Sequence, residues 1–352
     1  MNDKPKTFVI LTPGFAKDEA DSTCIPTQQN FVRILKEIYP QLNIIILASD
    51  YPYTTKKYTW HNNTVISFNG RNKGGLSKLL LRHRIFSVLK DIHASNNIIG
   101  LLSFWYAECA LIGKKFADSN GLKHICWICG QDAKKGNKYV RRIPLKADEL
   151  AALSDFLQDE FKKNYGTRPH YVIPPGINTK QFSQSILQKD IDILAAGSLI
   201  PLKQYEIFIN VIAELKKQLP AIKATLIGDG PEKCKLQNLI AASELQSNIT
   251  LTGELAHPHV LQLMQRGKVF LHPSSYEGFG VVCIEALFAG AKLISFVKPM
   301  NQEIEHWHIV TSKEEMVKKA IEILKDPNTQ YKTTIPFTME RSVRQMTQLF
   351  SF

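Results

Sequence analysis

Short apolar runs bounded by turn-forming residues alternate along this chain with longer amphipathic stretches. In the first half, the runs that read as strands are 8–11, 43–48, 64–68, 98–103, 125–128, 150–153 and 171–173. Between them, the pattern predicts helices over 28–38, 76–93, 108–118 and 155–165. Pro174-Pro175-Gly176 then forms a stiff turn, and the chain stays polar through Gln188, as a linker would. Beyond it the alternation restarts. Strands are predicted at 191–195, 224–227, 249–251, 269–272 and 293–296, and helices at 205–218, 231–244, 260–266, 281–289 and 313–325. Strands that are apolar throughout, alternating with helices, predict parallel sheets covered on both faces. The expected fold is therefore α/β, with two doubly wound Rossmann-like domains facing a cleft. Each would carry its ligand region beyond the carboxyl ends of its strands. The domains are placed at 1–180 and 181–335, and the segment 336–352 is expected to supply a helix that returns to the first domain.

Composition narrows the picture. A length of 352 residues suits two ordinary cores, and 44% hydrophobic with 22% charged residues excludes a disordered chain. No apolar run approaches the roughly 20 residues that span a bilayer. The first run, 8–11, is too short and too soon followed by Pro13-Gly14 for a signal peptide, so a cytoplasmic protein is expected. Six cysteines lie scattered, mostly in apolar runs, which predicts reduced, buried thiols. Cys126-Trp127-Ile128-Cys129 is a CxxC in form, but it sits in a strand without the helix start that a redox pair uses.

The net charge of +12 is unevenly spread, because residues 51–90 contain no Asp or Glu yet carry Lys56, Lys57, Arg71, Lys73, Lys78, Arg82, Arg84 and Lys90. Leu76, Leu79, Leu80 and Leu81 interleave with them, so a peripheral contact with an anionic membrane, at the inner face of the cell membrane, is weighed against a merely solvated basic surface. The apolar positions of 76–93 do not separate onto one face, so part of this stretch must be core. No zinc-finger spacing and no aromatic-glycine signature of an RNA-binding sheet is present, which argues against a nucleic-acid partner.

Candidate chemistry concentrates after the linker. In His272-Pro273-Ser274-Ser275-Tyr276-Glu277-Gly278-Phe279-Gly280 a strand gives way to a helix. Gly278 and Gly280 let the backbone approach a ligand closely, and the helix that follows offers free amides to a diphosphate. Glu277 and Glu285 can accept hydrogen bonds from paired sugar or ribose hydroxyls, or can simply be acids at a helix start. Gly197-Ser198-Leu199-Ile200-Pro201-Leu202-Lys203 brings an ammonium to a strand end, and Gly228-Asp229-Gly230 is a second glycine turn feeding a helix. One such turn is weak, but three at successive strand ends carry weight. Asp190-Ile191-Asp192 opens a strand at the opposite end, while His257-Pro258-His259 and His306-Trp307-His308 lack further ligands at useful spacing and read as surface or packing residues. No metal site is expected.

On these residues, 190–295 resembles the donor domain of the retaining, GT-B-fold glycosyltransferases of family 4, also known as glycosyl transferases group 1. Glu277 and Glu285 match its paired glutamates in the E-x7-E motif, within Pro-Ser-x-x-Glu-Gly-Phe-Gly. The resemblance implies that Glu277 touches the transferred sugar and that Glu285 holds the nucleotide ribose. It gives backbone contacts to the sugar at Gly278, Phe279 and Gly280, and to the phosphates at Val281 and Val282. Lys203 matches the family's phosphate lysine, while Ser198 stands where the family has an arginine. Gly228 and Gly230 match its glycine turn, and Glu254 and Leu255 its base-contacting segment. In the first domain the likeness is thinner. Gly14 falls on a glycine loop near the donor phosphates, and Ser103 and Asp132 fall where a sugar or acceptor contact is expected. The family's first-domain histidines are missing there.

The resemblance implies a metal-independent transferase with no cofactor, for which the nucleotide sugar is a substrate. It would move a hexose-type sugar from a UDP- or GDP-linked donor to a glycan or lipid-linked acceptor, in cell-surface glycan assembly. The alternatives are another GT-B enzyme, such as a nucleotide-sugar epimerase or a phosphorylase, and a non-catalytic protein that binds sugar nucleotides.

Overall fold

The structure is a computed structural model that describes residues 4–183 and 187–351. It divides into two units, one of residues 1–176 with 339–352 and one of residues 177–338. The first unit is built on strands β1 (Lys6–Gly14), β2 (Asn43–Tyr51), β3 (Thr55–Trp60), β4 (Asn63–Phe68), β5 (Asn97–Phe104), β6 (His124–Ile128), β7 (Leu150–Ala152) and β8 (Tyr171–Val172). They form one sheet in the order β3-β4-β2-β1-β5-β6-β7-β8. Helices α1 (Pro26–Ile38), α2 (Gly75–Ser95), α3 (Glu108–Asn120), α4 (Lys138–Arg142) and α5 (Asp155–Tyr165) connect them. The central strands are apolar on both faces, with Phe8, Val9, Ile10 and Ile46 fully buried.

Two features depart from the expected pattern. Strand β3 is absent from the sequence reading, and it pairs antiparallel with β4 at the sheet edge. Its Lys56, Lys57 and Thr59 face water. A strand solvated on so many positions lacks the continuous apolar run by which its parallel neighbours were found. The basic helix α2 resolves the mixed pattern of 76–93. Leu81, Ile85, Leu89 and Ile92 are buried against the sheet, while Leu76, Leu79 and Leu80 are exposed.

The second unit holds strands β9 (Ile191–Ala196), β10 (Ala224–Ile227), β11 (Ile249–Leu251), β12 (Gly267–His272), β13 (Lys292–Ser295) and β14 (Trp307–Ile309). Helices α6 (Tyr205–Lys216), α7 (Lys233–Ala242), α8 (His257–Arg266), α9 (Val281–Phe288) and α10 (Lys313–Lys325) link them. The sheet runs β11-β10-β9-β12-β13-β14 and every pairing in it is parallel. Ile193, Phe208, Ile212, Leu226, Val269, Leu271, Ile294 and Met316 share its core. Of His306-Trp307-His308, read as surface or packing residues, Trp307 and His308 lie in the edge strand β14, and His306 precedes it. Trp307 Nε1 donates to Ser295 Oγ at 2.8 Å.

Helix α11 (Met339–Gln348) is a member of the first unit and packs on α1. Ser342 Oγ donates to the Pro174 carbonyl at 2.6 Å, and the Tyr39 and Thr347 hydroxyls lie 3.1 Å apart. Phe350 meets Phe8 edge-on at 4.9 Å and lies over Gly100, where a Cβ would stand 2.3 Å from its ring.

Candidate active site

The strand order of the second unit reverses direction between β9 and β12. From β9 the chain winds outward through β10 to β11, then crosses back to begin again at β12. At such a switch point the two loops leaving the strands' carboxyl ends part to opposite faces and open a crevice. Those loops are Gly197–Gln204 and Pro273–Gly280. Main-chain hydrogen bonds fasten the neighbouring loops together. Leu199 N donates to the Asp229 carbonyl at 2.9 Å, Gly228 N to the Gly253 carbonyl at 3.0 Å, and Ser275 N to the Leu202 carbonyl at 3.1 Å. Glycine is required at this seam. A Cβ on Gly228 would lie 2.0 Å from the Gly197 carbonyl oxygen, and φ there is +145°.

Lys203 and Glu277, 74 residues apart in sequence, form an ion pair in the crevice. His272, buried at the end of β12, brings Nε2 to 3.3 Å from the same carboxylate oxygen. Burial opposes ionisation of Glu277, but the His272 hydrogen bond and the Lys203 charge outweigh it and bring its pKa to about 2. Burial pushes His272 below the ordinary imidazole range, so the neutral ring donates from Nε2 to the anion. Tyr205, the first residue of α6, is buried, and its hydroxyl has no hydrogen-bond partner among the described residues. A Cβ on Gly197 would stand 2.7 Å from that hydroxyl and 3.7 Å from Lys203 Cε. The hydroxyl and the carbon stem of Lys203 thus both flank Gly197. Ser198 stands exposed on the same loop.

Helix α9 begins directly after this loop. Gly280 takes φ +76° as its cap residue, and a Cβ there would sit 3.2 Å from Glu277 Cγ. Phe279 is buried against Trp307 and Phe337, so its side chain anchors the turn and only its backbone can serve a ligand. Val281 and Val282, on the first turn, remain partly exposed. Glu285, one turn further on, is engaged by His257 Nε2 at 2.8 Å. That histidine opens α8, next to the exposed Glu254 and half-buried Leu255. Burial opposes charging of His257, yet the Glu285 carboxylate prevails and its pKa is raised. This corrects the reading of His257 as a surface or packing residue. Only the fold brings it to Glu285; His272 opens the candidate loop in sequence, but its contact with Glu277 shows only in the fold. The aspartates at 190 and 192 lie at the other end of the sheet, where Arg266, Lys268 and the Lys223 amide use them. A cavity of about 660 Å³ along residues 298–309 and Lys319 is lined by none of Lys203, His272, Glu277 or Glu285.

Residues 177–334 match the family model described as glycosyl transferases group 1. The second unit belongs to the glycosyl transferases group 1 family. The phosphatidylinositol N-acetylglucosaminyltransferase gpi3 subunit of Schizosaccharomyces pombe is 32% identical over 127 residues, which are 35% of this chain and 28% of that protein. The match therefore spans well under a third of that relative's length. An uncharacterized glycosyltransferase of Methanocaldococcus jannaschii is 25% identical over 276 residues, 76% of this chain and 73% of that protein. The structure of HepE from Anabaena in complex with UDP and glucose aligns with a TM-score of 0.65 at 16% identity, covering 98% of this chain and 95% of that one. This likeness shows the fold, the two-unit GT-B architecture of glycosyltransferases.

In that group 1 domain, every donor-site position read from sequence falls on the loops and helix starts at one end of the sheet. The first-unit positions fare differently. Gly14 ends β1 and is buried, with room for a Cβ limited by Tyr51 Cβ at 3.3 Å. Ser103 is fully buried, donates to the Cys109 carbonyl at 3.0 Å and meets His124 Nε2 at 2.8 Å. It braces β5 against α3 and is not placed to touch a sugar. Asp132 accepts from the Tyr106 amide at 2.8 Å, the Gly130 amide at 2.7 Å and the Cys129 amide at 3.2 Å. Burial raises its pKa, and those amides oppose the rise. Both oxygens are thus committed to the turn after β6, so Asp132 shapes the loop rather than offering a free carboxylate. All six cysteines are free thiols, and Cys126 lies buried within β6. Among the described residues no three His, Cys, Asp or Glu side chains cluster to hold a metal ion.

Proposed function

We propose that this protein is a retaining glycosyltransferase of family 4. It would transfer a hexose-type sugar from a UDP- or GDP-linked donor to a glycan or lipid-linked acceptor in cell-surface glycan assembly. The observation that carries the reading is the joining of Lys203, His272 and Glu277 at the switch point of a group 1 domain. A uridine donor is favoured by the relatives, since HepE was solved with UDP and the S. pombe relative is named for N-acetylglucosaminyl transfer.

In this reading the pyrophosphate lies between the Lys203 ammonium and the amides of Val281 and Val282, where the α9 N-terminus adds partial positive charge. Glu277, kept ionised, holds sugar hydroxyls. Glu285, steadied by His257, takes those of the ribose. The bond between the anomeric carbon and the phosphate oxygen breaks as the acceptor oxygen bonds to that carbon on the same face. The acceptor's proton passes to the departing phosphate. Lys203 and the helix amides stabilise the charge that develops there, which is the term of greatest weight in such transfers. The negative charge is met by these groups without a bound cation.

A thermal-shift panel of UDP-, GDP-, ADP- and dTDP-sugars tests the donor, followed by mass-spectrometric detection of released nucleoside diphosphate. Release that requires an acceptor supports transfer, whereas donor isomerisation without acceptor would identify an epimerase. Ser198 and the committed Asp132 favour one other reading, a protein that binds sugar nucleotides without consuming them. Saturable binding with no turnover across a broad acceptor set would establish it.

A further inference from the structure

Among the described residues, six large apolar side chains are strongly exposed, and four of them, Tyr53, Leu76, Leu79 and Leu80, belong to the acid-free segment 51–90. Scattered apolar residues on a surface need no explanation, but clustering does. Leu76, Leu79 and Leu80 occupy the first turns of α2 at exposures of 79%, 55% and 66%. Their i, i+3, i+4 spacing puts them on one face, opposite the buried Leu81, Ile85, Leu89 and Ile92. Exposed Lys73 precedes them, and exposed Arg84 follows them and donates to the Thr55 hydroxyl at 3.4 Å, on the strand β3 that carries Lys56 and Lys57.

The same exposed face continues through His83 and Ser87 to Lys90. Here a cavity of about 500 Å³ opens between α2 and α3, with Leu79 and Phe86 on its apolar side and Arg82, His83, Lys90 and Lys115 on its polar side. No acid lines it. Arg82 and Lys78 are already engaged by Glu108, a buried carboxylate, so Lys90 and Lys115 are the cations left to an external anion. Asp91, the acid on this face of α2, lies about 22 Å along the helix from Leu76.

We propose that this end of α2 docks on an anionic lipid surface. Leu76, Leu79 and Leu80 enter the boundary between headgroups and acyl chains, and the cavity with Lys90 and Lys115 receives a lipid phosphate. Apolar residues at a helix tip, ringed by lysine and arginine, match a surface that is negative outside and apolar beneath. Nucleic acid would satisfy the lysines but leave the three leucines in water, which is why the lipid is the better fit. This contact does not depend on the transfer reaction.

Full-length protein is sedimented with phosphatidylcholine vesicles, with or without about a third phosphatidylglycerol. Binding is expected to the anionic vesicles only, to weaken with added salt, and to fall about tenfold or more in the triple variant L76S/L79S/L80S. The double variant K90E/K115E should lose a comparable share while its melting temperature stays at the wild-type value. All five positions are solvent-facing, so a melting scan confirms that the variants fold. Absence of binding to anionic vesicles, or binding undiminished in the leucine variant, overturns the proposal. So does capture of a DNA duplex that survives the serine substitutions while vesicles are ignored.

Discussion

Replacing Glu277 by glutamine keeps the size of the side chain and deletes its charge. The consequence can be worked from its setting. In the folded protein the carboxyl has a pKa of about 2, against an ordinary value of 4.5. At about 1.4 kcal/mol per unit, that depression corresponds to roughly 3 kcal/mol of stability supplied by the ionised form. Because the folded value is the lower one, the contribution is complete above the unfolded pKa. It drains away as pH falls from there through the folded value. By pH 3 roughly 2 kcal/mol of it should be gone, with about 1 kcal/mol remaining. Urea denaturation of wild type and Glu277→Gln, followed by circular dichroism at neutral pH and at about pH 3, measures the difference. The variant should be markedly less stable at neutral pH and should approach wild type in acid. A gap of constant size across that range would refute the account, since it would mean that shape or packing, not charge, is what glutamine lacks.

Four further outcomes follow from the same geometry. Glu277→Ala should abolish detectable transfer, and Lys203→Ala should cut turnover on the order of a hundredfold or more while weakening donor binding, both read from nucleotide release. His257→Ala should raise the donor KM more than it lowers kcat, because it frees Glu285 without touching the reacting atoms. His257→Gln, which can still donate to that carboxylate, should recover part of the loss. Gly228→Ala should destabilise the second unit by about 1–3 kcal/mol in denaturation, its Cβ meeting the Gly197 carbonyl in a backbone region that suits glycine.

The second unit was the more legible half, and its physics explains why. Buried parallel strands are apolar at nearly every position, so runs such as 191–195 and 269–272 stand out and fall within β9 and β12. Its donor loops announce themselves through glycines that the backbone seam demands. Contacts between side chains of different helices left no such mark. His257 and Glu285 lie 28 residues apart, and nothing local links them. The half-buried Asp132 shows the opposite error. An acid after a strand end reads as chemistry, yet here three amides consume it. Strand β3 was hidden for a third reason, since a solvated edge strand rich in lysine reads as charge rather than structure.

The return of α11 has a consequence for how the protein is made. Gly100 and Phe8 wait for Phe350, and the Pro174 carbonyl waits for Ser342, but the ribosome must first complete the whole of the second unit. At ordinary elongation rates that delay is on the order of ten to thirty seconds. During it, the first unit exists with an apolar site on its sheet uncovered. A nascent chain in that state is a natural client for chaperones. A fragment stopped after residue 338 would carry the vacancy permanently, while a direct splice from residue 176 to 339 would close it.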